Sequence, residues 1–297
     1  MHVARRIRHN GAHLSLLIVE VEDVSRILVE TSTIGDIPVL TMAPEFVAPR
    51  PAVFFVHGFM SDKREGLALG YELARQGFYF VSLDAPMHGL RFDPRLEAMV
   101  SGKGEYVYPF ESGLDVFYMM HEIIVQIARD LERLIAYFEG ERRIDGDRVG
   151  LTGFSMGGFA TFYAAANNPR IAAAVPIAGI PAFEARWRDV VLETSAYEKW
   201  AAAMREAQAE SARRGAFVQS IDPFEKLAGF FPRPLMMISG DLDTHSPKKY
   251  SVDLYRELLP VYAEHPERLR LVIHDEAGHE LTRAMMEDVC GWFSRYL

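Results

Sequence analysis

Apolar and polar residues alternate through Ser25–Thr31 and again through Ile37–Met42, the pattern of strands with one wet face. Gly35 and Asp36 between them are turn residues, so the two runs are expected to pair as an antiparallel hairpin. Pro44, Pro49 and Pro51 then mark a connection, and beyond it the texture changes. Runs that are apolar almost throughout recur at Ala52–Val56, Phe78–Leu83, Arg148–Thr152, Ile171–Ile177, Pro234–Ser239 and Leu269–His274. Longer segments of helical period separate them, near Lys63–Gln76, Ser112–Glu139, Met156–Asn167, Pro247–Leu259 and Glu280–Tyr296. Strands with no wet face must be covered on both sides, which implies a parallel sheet between two layers of helices. With the hairpin added, the expectation is one α/β domain with a mostly parallel, eight-stranded sheet.

One segment breaks the rhythm. Between Ile180 and Pro232 no strand–helix pair is found, only Trp187, Trp200 and a charged helix expected near Ala196–Arg214. The segment leaves the sheet after one strand and returns before another, at the edge where loops gather. Residues 182–231 are therefore expected to form a small helical cap on a core of residues 1–181 and 232–297. Phe183, Trp187 and Trp200 would give the cap the apolar area of a pocket wall. Phe217, Phe224 and Phe230 would either join that wall or pin the cap to the core.

Composition narrows the setting. The chain is 49% hydrophobic and 25% charged, ordinary for a globular protein. A net charge of -9 argues against nucleic acid, which calls for clustered Lys and Arg. Cys290 is alone, so no intramolecular disulfide can form and a reducing cytoplasm is expected. After the basic N-terminal residues, Leu14–Val19 is too short for a signal-peptide core before Glu20, Glu22 and Asp23 intervene; no later run has membrane-spanning length.

The chemistry is concentrated where apolar runs end. Gly153-Phe154-Ser155-Met156-Gly157-Gly158 follows a strand and opens a helix, the context of a G-x-S-x-G nucleophile elbow. A sharp strand-to-helix turn holds such a serine in a strained conformation, and glycines at 153 and 157 remove collisions around it. Phe54-Phe55-Val56-His57-Gly58-Phe59 ends a strand at the place from which a second oxyanion donor comes. The donors expected are the backbone N–H groups of Phe59 and Met156. The turn Gly240-Asp241-Leu242-Asp243 carries two carboxylates; Asp243, farther into the loop and nearer Pro247, is taken as the acid over Asp241. His279 follows the last strand and completes the order Ser155, Asp243, His279. His274 within a strand, His245 beside the acid, and His57 and His88 in other loops are weaker bases. His57, His88 and His245 stand at no His-x-x-x-His spacing and Cys290 has no cysteine partner, so neither metal nor organic cofactor is expected.

These elements resemble the α/β-hydrolase superfamily along nearly the whole chain. Within it, His57–Arg64 followed by Asp84-Ala85-Pro86-Met87-His88-Gly89 is similar to small bacterial carboxylesterases near the dienelactone hydrolase and prolyl-oligopeptidase branches. Dienelactone hydrolase uses a cysteine where this elbow has Ser155, and nothing here reads as the propeller of the peptidase branch. The resemblance implies a serine hydrolase cleaving carboxylic esters of short to medium acyl chain through an acyl-enzyme. Alternatives on the same triad are a peptidase or amidase of the prolyl-oligopeptidase type, a cofactor-free perhydrolase, or a C–C hydrolase. A ligand-binding protein without activity is the reading from another class. The expected partner is a small-molecule ester, with neither nucleic acid nor membrane, and a homodimer is left open.

Overall fold

A computed structural model describes residues 5–9, 12–19, 26–45, 49–99, 110–195 and 208–297. The eight expected strands are present: β3 (Ile27–Ile34), β4 (Ile37–Pro44), β5 (Arg50–Val56), β6 (Tyr79–Leu83), β7 (Ile144–Phe154), β8 (Ala173–Ile177), β9 (Leu235–Gly240) and β10 (Leu269–His274). Two more precede them, β1 (Arg5–His9) and β2 (Ala12–Val19), so the sheet has ten strands in the order β1-β2-β3-β4-β6-β5-β7-β8-β9-β10. From β6 to β10 along that order every pairing is parallel, while β1 to β4 add antiparallel strands at one edge. The apolar run at Leu14–Val19 is thus most of β2.

The central strands are apolar on both faces because both are covered. In β5, Ala52, Phe54 and Val56 join one core cluster while Val53 and Phe55 join the other. The first cluster takes α3 (Phe110–Gly140) through Ile127 and Leu131, and α4 (Met156–Asn167) through Ala160. The second takes α1 (Leu67–Arg75) through Leu69 and Leu73. A short α2 (Pro94–Met99) lies between β6 and α3. Among the described residues no helix is long and apolar enough to cross a membrane.

The described parts of the interrupting segment are largely helical, with boundaries unlike those expected. It holds α5 (Phe183–Ser195) and α6 (Gln208–Ser220), followed by a 3₁₀ turn over Pro223–Gly229. Of the single charged helix expected at Ala196–Arg214, the part at 196–207 lies outside the described residues, and α6 continues beyond its end to Ser220. The chain closes with α7 (Lys249–Leu258), β10 and α8 (Arg283–Tyr296).

Candidate active site

Ser155 stands between β7 and α4 with φ 53° and ψ −115°, in the left-handed half of backbone space that L-residues avoid. The turn closes because backbone lies directly on backbone. A Cβ on Gly157 would sit 1.9 Å from Val56 O, and one on Gly153 would sit 2.5 Å from Gly157 O. The Ser155 N–H donates to Ile177 O at 3.0 Å, fastening the elbow to the end of β8. Strain in the serine is held by contacts that admit no larger residue at the two flanking glycines.

Three side chains from three strand ends meet here. His279 Nε2 lies 2.8 Å from Ser155 Oγ, and His279 Nδ1 lies 2.8 Å from Asp243 Oδ2. The other carboxylate oxygen, Asp243 Oδ1, accepts the backbone N–H of His245 at 2.9 Å and of Ser246 at 2.8 Å. An acceptor-only carboxylate facing Nδ1 selects the tautomer with its proton there, so Nε2 offers its lone pair to the serine hydroxyl. The Asp243 side chain is fully buried, which strengthens this orienting bond. Asp241 does not reach His279; it pairs with Lys248. The ring of Phe154 lies 5.0 Å from that of His279 and borders the imidazole.

The expected oxyanion donors lie at the start of α4 and in the loop after β5. Met156 N–H is the first amide of α4 and has no acceptor within that helix. Phe59 N–H has no acceptor among the described residues. Its loop passes beside Ser155: a Cβ on Gly58 would be 3.6 Å from Ser155 Cβ.

The bonds that hold the Phe59 loop escaped the reading of the sequence. His57 donates from Nδ1 to Gly58 O at 2.7 Å and accepts the Ala85 N–H on Nε2 at 3.0 Å, a pattern that requires a neutral ring. Burial pushes its pKa down to about 4. Gly58 N–H donates to Glu65 Oε2 at 2.6 Å, and burial raises the Glu65 carboxyl above its usual range. Farther along, Lys63 Nζ is 2.7 Å from Asp84 Oδ2, while Asp84 Oδ1 accepts the Lys63 N–H at 2.9 Å. Leu90 N–H adds a bond to Asp84 Oδ2 at 2.9 Å. This buried ion pair joins the loops after β5 and β6, and accounts for Lys63 and Asp84 standing in the two runs that carry the family resemblance. Only the paired motifs themselves hinted at it.

Of the residues expected in a pocket wall, Phe183 and Trp187 are almost wholly buried. Phe183 packs on Phe159, one turn along α4 from Ser155, and on His121 of α3; Trp187 stacks on Phe117. They therefore anchor α5 to the core. Trp200 lies outside the described residues. Phe230 is buried, whereas Phe217 meets Tyr118 of α3 at 5.4 Å. The segment is also tied by polar bonds. Asp222 accepts the Glu184 N–H at 2.8 Å, and Asp189 accepts bonds from Lys249 Nζ at 2.7 Å and Tyr250 OH at 2.5 Å.

Residues 122–297, from within α3 past Ser155, Asp243 and His279 to the last helix, match the family model described as the prolyl oligopeptidase family. The chain belongs to the prolyl oligopeptidase family. YitV of Bacillus subtilis (strain 168), a protein named as a proposed esterase, is 29% identical over 274 residues, covering 91% of this chain and 100% of its own. Two solved structures share the fold of this prolyl oligopeptidase family member. TT1662 from Thermus thermophilus aligns with a TM-score of 0.64 at 20% identity, covering 91% of this chain and 98% of its own. An acetyl xylan esterase from Paenibacillus sp. R4 aligns with a TM-score of 0.64 at 15% identity, covering 98% and 90%. The fold is that of the α/β-hydrolases, and the family membership makes the chain a serine hydrolase of that fold.

Proposed function

We propose that this chain is a carboxylesterase using Ser155 as nucleophile, His279 as general base and Asp243 as the orienting acid. The observation that carries the proposal is His279 bridging Ser155 Oγ and Asp243 Oδ2 at 2.8 Å on each side. Ser155 attacks the ester carbonyl as its proton passes to His279 Nε2. The negative oxygen of the tetrahedral intermediate is met by the N–H groups of Phe59 and Met156, where loss of one donor costs about 3–4 kcal/mol in comparable enzymes. The intermediate collapses, the C–O bond to the alcohol breaks, and His279 returns its proton to the leaving oxygen. Water, deprotonated by the same histidine, then releases the acid and restores Ser155.

The name of YitV supports the ester as substrate, and a small cap over residues 182–231 supports short to medium acyl chains. Phe183 and Trp187 act as anchors of that cap, since their buried faces leave little surface to a substrate. The free, buried Cys290 supports a cytoplasmic setting. A panel of p-nitrophenyl acetate, butyrate and palmitate against aminoacyl anilides tests the proposal. Acetate and butyrate should turn over fastest and anilides slowest. Family membership favours a second reading, a peptidase, and faster anilide than ester cleavage would establish it over ours.

A further inference from the structure

Two further features of the site draw attention to His245. Its ring centroid lies 5.1 Å from that of His279, and its side chain is exposed to solvent. One ligand atom each from Asp243, His245 and His279 lies within 4.8 Å of the other two, the one such trio among the described residues. The triad needs only two of these three. The His245 side chain takes no part in the proposed reaction, although its backbone N–H holds Asp243. We propose that Asp243, His245 and His279 form an inhibitory site for a zinc-like transition-metal ion, reached from the solvent side through His245.

The donor set suits that ion. Two imidazole nitrogens and a carboxylate oxygen are borderline ligands of the kind zinc accepts, and a fourth position stays open to water. Zinc–ligand bonds of about 2.0–2.2 Å place tetrahedral ligand atoms about 3.3 Å apart. The Asp243–His279 contact must therefore open slightly from 2.8 Å while the exposed His245 swings inward. Asp243 Oδ1 stays bonded to two backbone N–H groups, so the carboxylate keeps its place during the exchange.

The consequence follows from proton accounting. The nitrogen of His279 that adjoins Asp243 is Nδ1, which carries the proton in the working tautomer. A metal on Nδ1 displaces that proton, and the neutral ring keeps its remaining proton on Nε2. Nε2 then has no lone pair for the Ser155 hydroxyl. The nucleophile loses its base while the acyl side of the site is left as it was, so inhibition lowers kcat and spares KM.

The proposed location rests on the triad assignment, so the test reads binding as well as catalysis. Zinc chloride is titrated into the full chain by isothermal calorimetry, and into the p-nitrophenyl acetate assay. The comparison is with His245→Ala and with His245→Gln, which both retain the backbone N–H. Expected are one zinc bound per chain, a fall in kcat at constant KM that a chelator reverses, and at least about tenfold weaker binding and inhibition in both variants. Absence of binding, or equal affinity in the wild type and both variants, would overturn the proposal. Should the chain hydrolyse none of these esters, the calorimetric comparison still decides the metal site, while the esterase reading fails separately.

Discussion

In the strand-end loops around Ser155, backbone rests on backbone; where α5 and α6 meet the core, side chain rests on side chain. The elbow leaves no room for a Cβ at Gly157, which would lie 1.9 Å from Val56 O, and Asp243 is held by two amides of its own turn. The other segment is held by Phe183 and Trp187 on aromatic neighbours and by a few surface-facing polar bonds. The first kind of construction fixes reacting atoms to within a fraction of an ångström and tolerates almost no substitution. The second kind fixes an element in place by area alone, and many sequences can do it. Chemistry is thus built where the chain has least freedom, and the adjustable part of the molecule is left to packing.

The largest effect should come from breaking the orienting bond. Asp243→Asn should lower kcat by about four orders of magnitude, because an amide can stabilise the wrong imidazole tautomer. Asp241→Asn loses only a partly exposed pair with Lys248 and should stay within about threefold of wild type, since such pairs contribute little. Equal losses in the two variants, measured on p-nitrophenyl acetate, would mean that the geometry around His279 does not set its chemistry.

Trp187→Ala probes the other construction. Removing a buried indole should cost about 3–5 kcal/mol of stability in urea unfolding. Under native conditions the folded fraction should still react with a fluorophosphonate, because the elbow does not depend on that ring. A variant equally stable to urea, or one folded but unreactive, would erase the distinction between anchor and site.

A smaller effect concerns pH. Burial pushes both His57 and His121 down to a pKa of about 4, against about 6.5 in an unfolded chain. Below pH 6.5 the unfolded chain takes up protons that the folded chain refuses, so these two sites make stability greatest above 6.5 and erode it as pH falls towards 4. Each accounts for at most about 3 kcal/mol over that window. His121→Phe keeps the aromatic contacts and should flatten the fall between pH 7 and pH 4.5 by up to that amount. An unchanged slope in urea titrations at the two pH values would show that His121 is not buried as a neutral ring.

The division between the two regions also explains what could be read in the sequence. Close backbone approach demands glycine, and a positive φ at a strand–helix junction leaves a local mark, so Gly153, Ser155 and Gly157 were visible in six residues. Chain order and loop position were enough to nominate His279 and to prefer Asp243 over Asp241. The Lys63–Asp84 pair was not legible, because ion pairing across 21 residues has no local period. His57 was read as a weaker candidate base in a strand-end loop and its structural bonds were missed, since its second partner is the backbone amide of Ala85, which any residue would offer. At the N-terminus, β1 is mostly arginine and β2 mostly apolar, so neither alternates clearly enough to separate the pair from a basic stretch followed by a short apolar run. Between β8 and β9, α5 was missed because Phe183 and Trp187 are a single i,i+4 pair, too few apolar positions to establish a helical period, and carry no sign of what they touch.

An activated Ser155 should be open to covalent labelling. A fluorophosphonate incubated with the wild-type chain, followed by peptide mass spectrometry, should add one phosphonyl group to the peptide containing Ser155. In Ser155→Ala the label should vanish while the urea midpoint stays within experimental scatter, since the elbow accepts a small side chain. A label found on another residue, or one that persists in Ser155→Ala, would contradict the account.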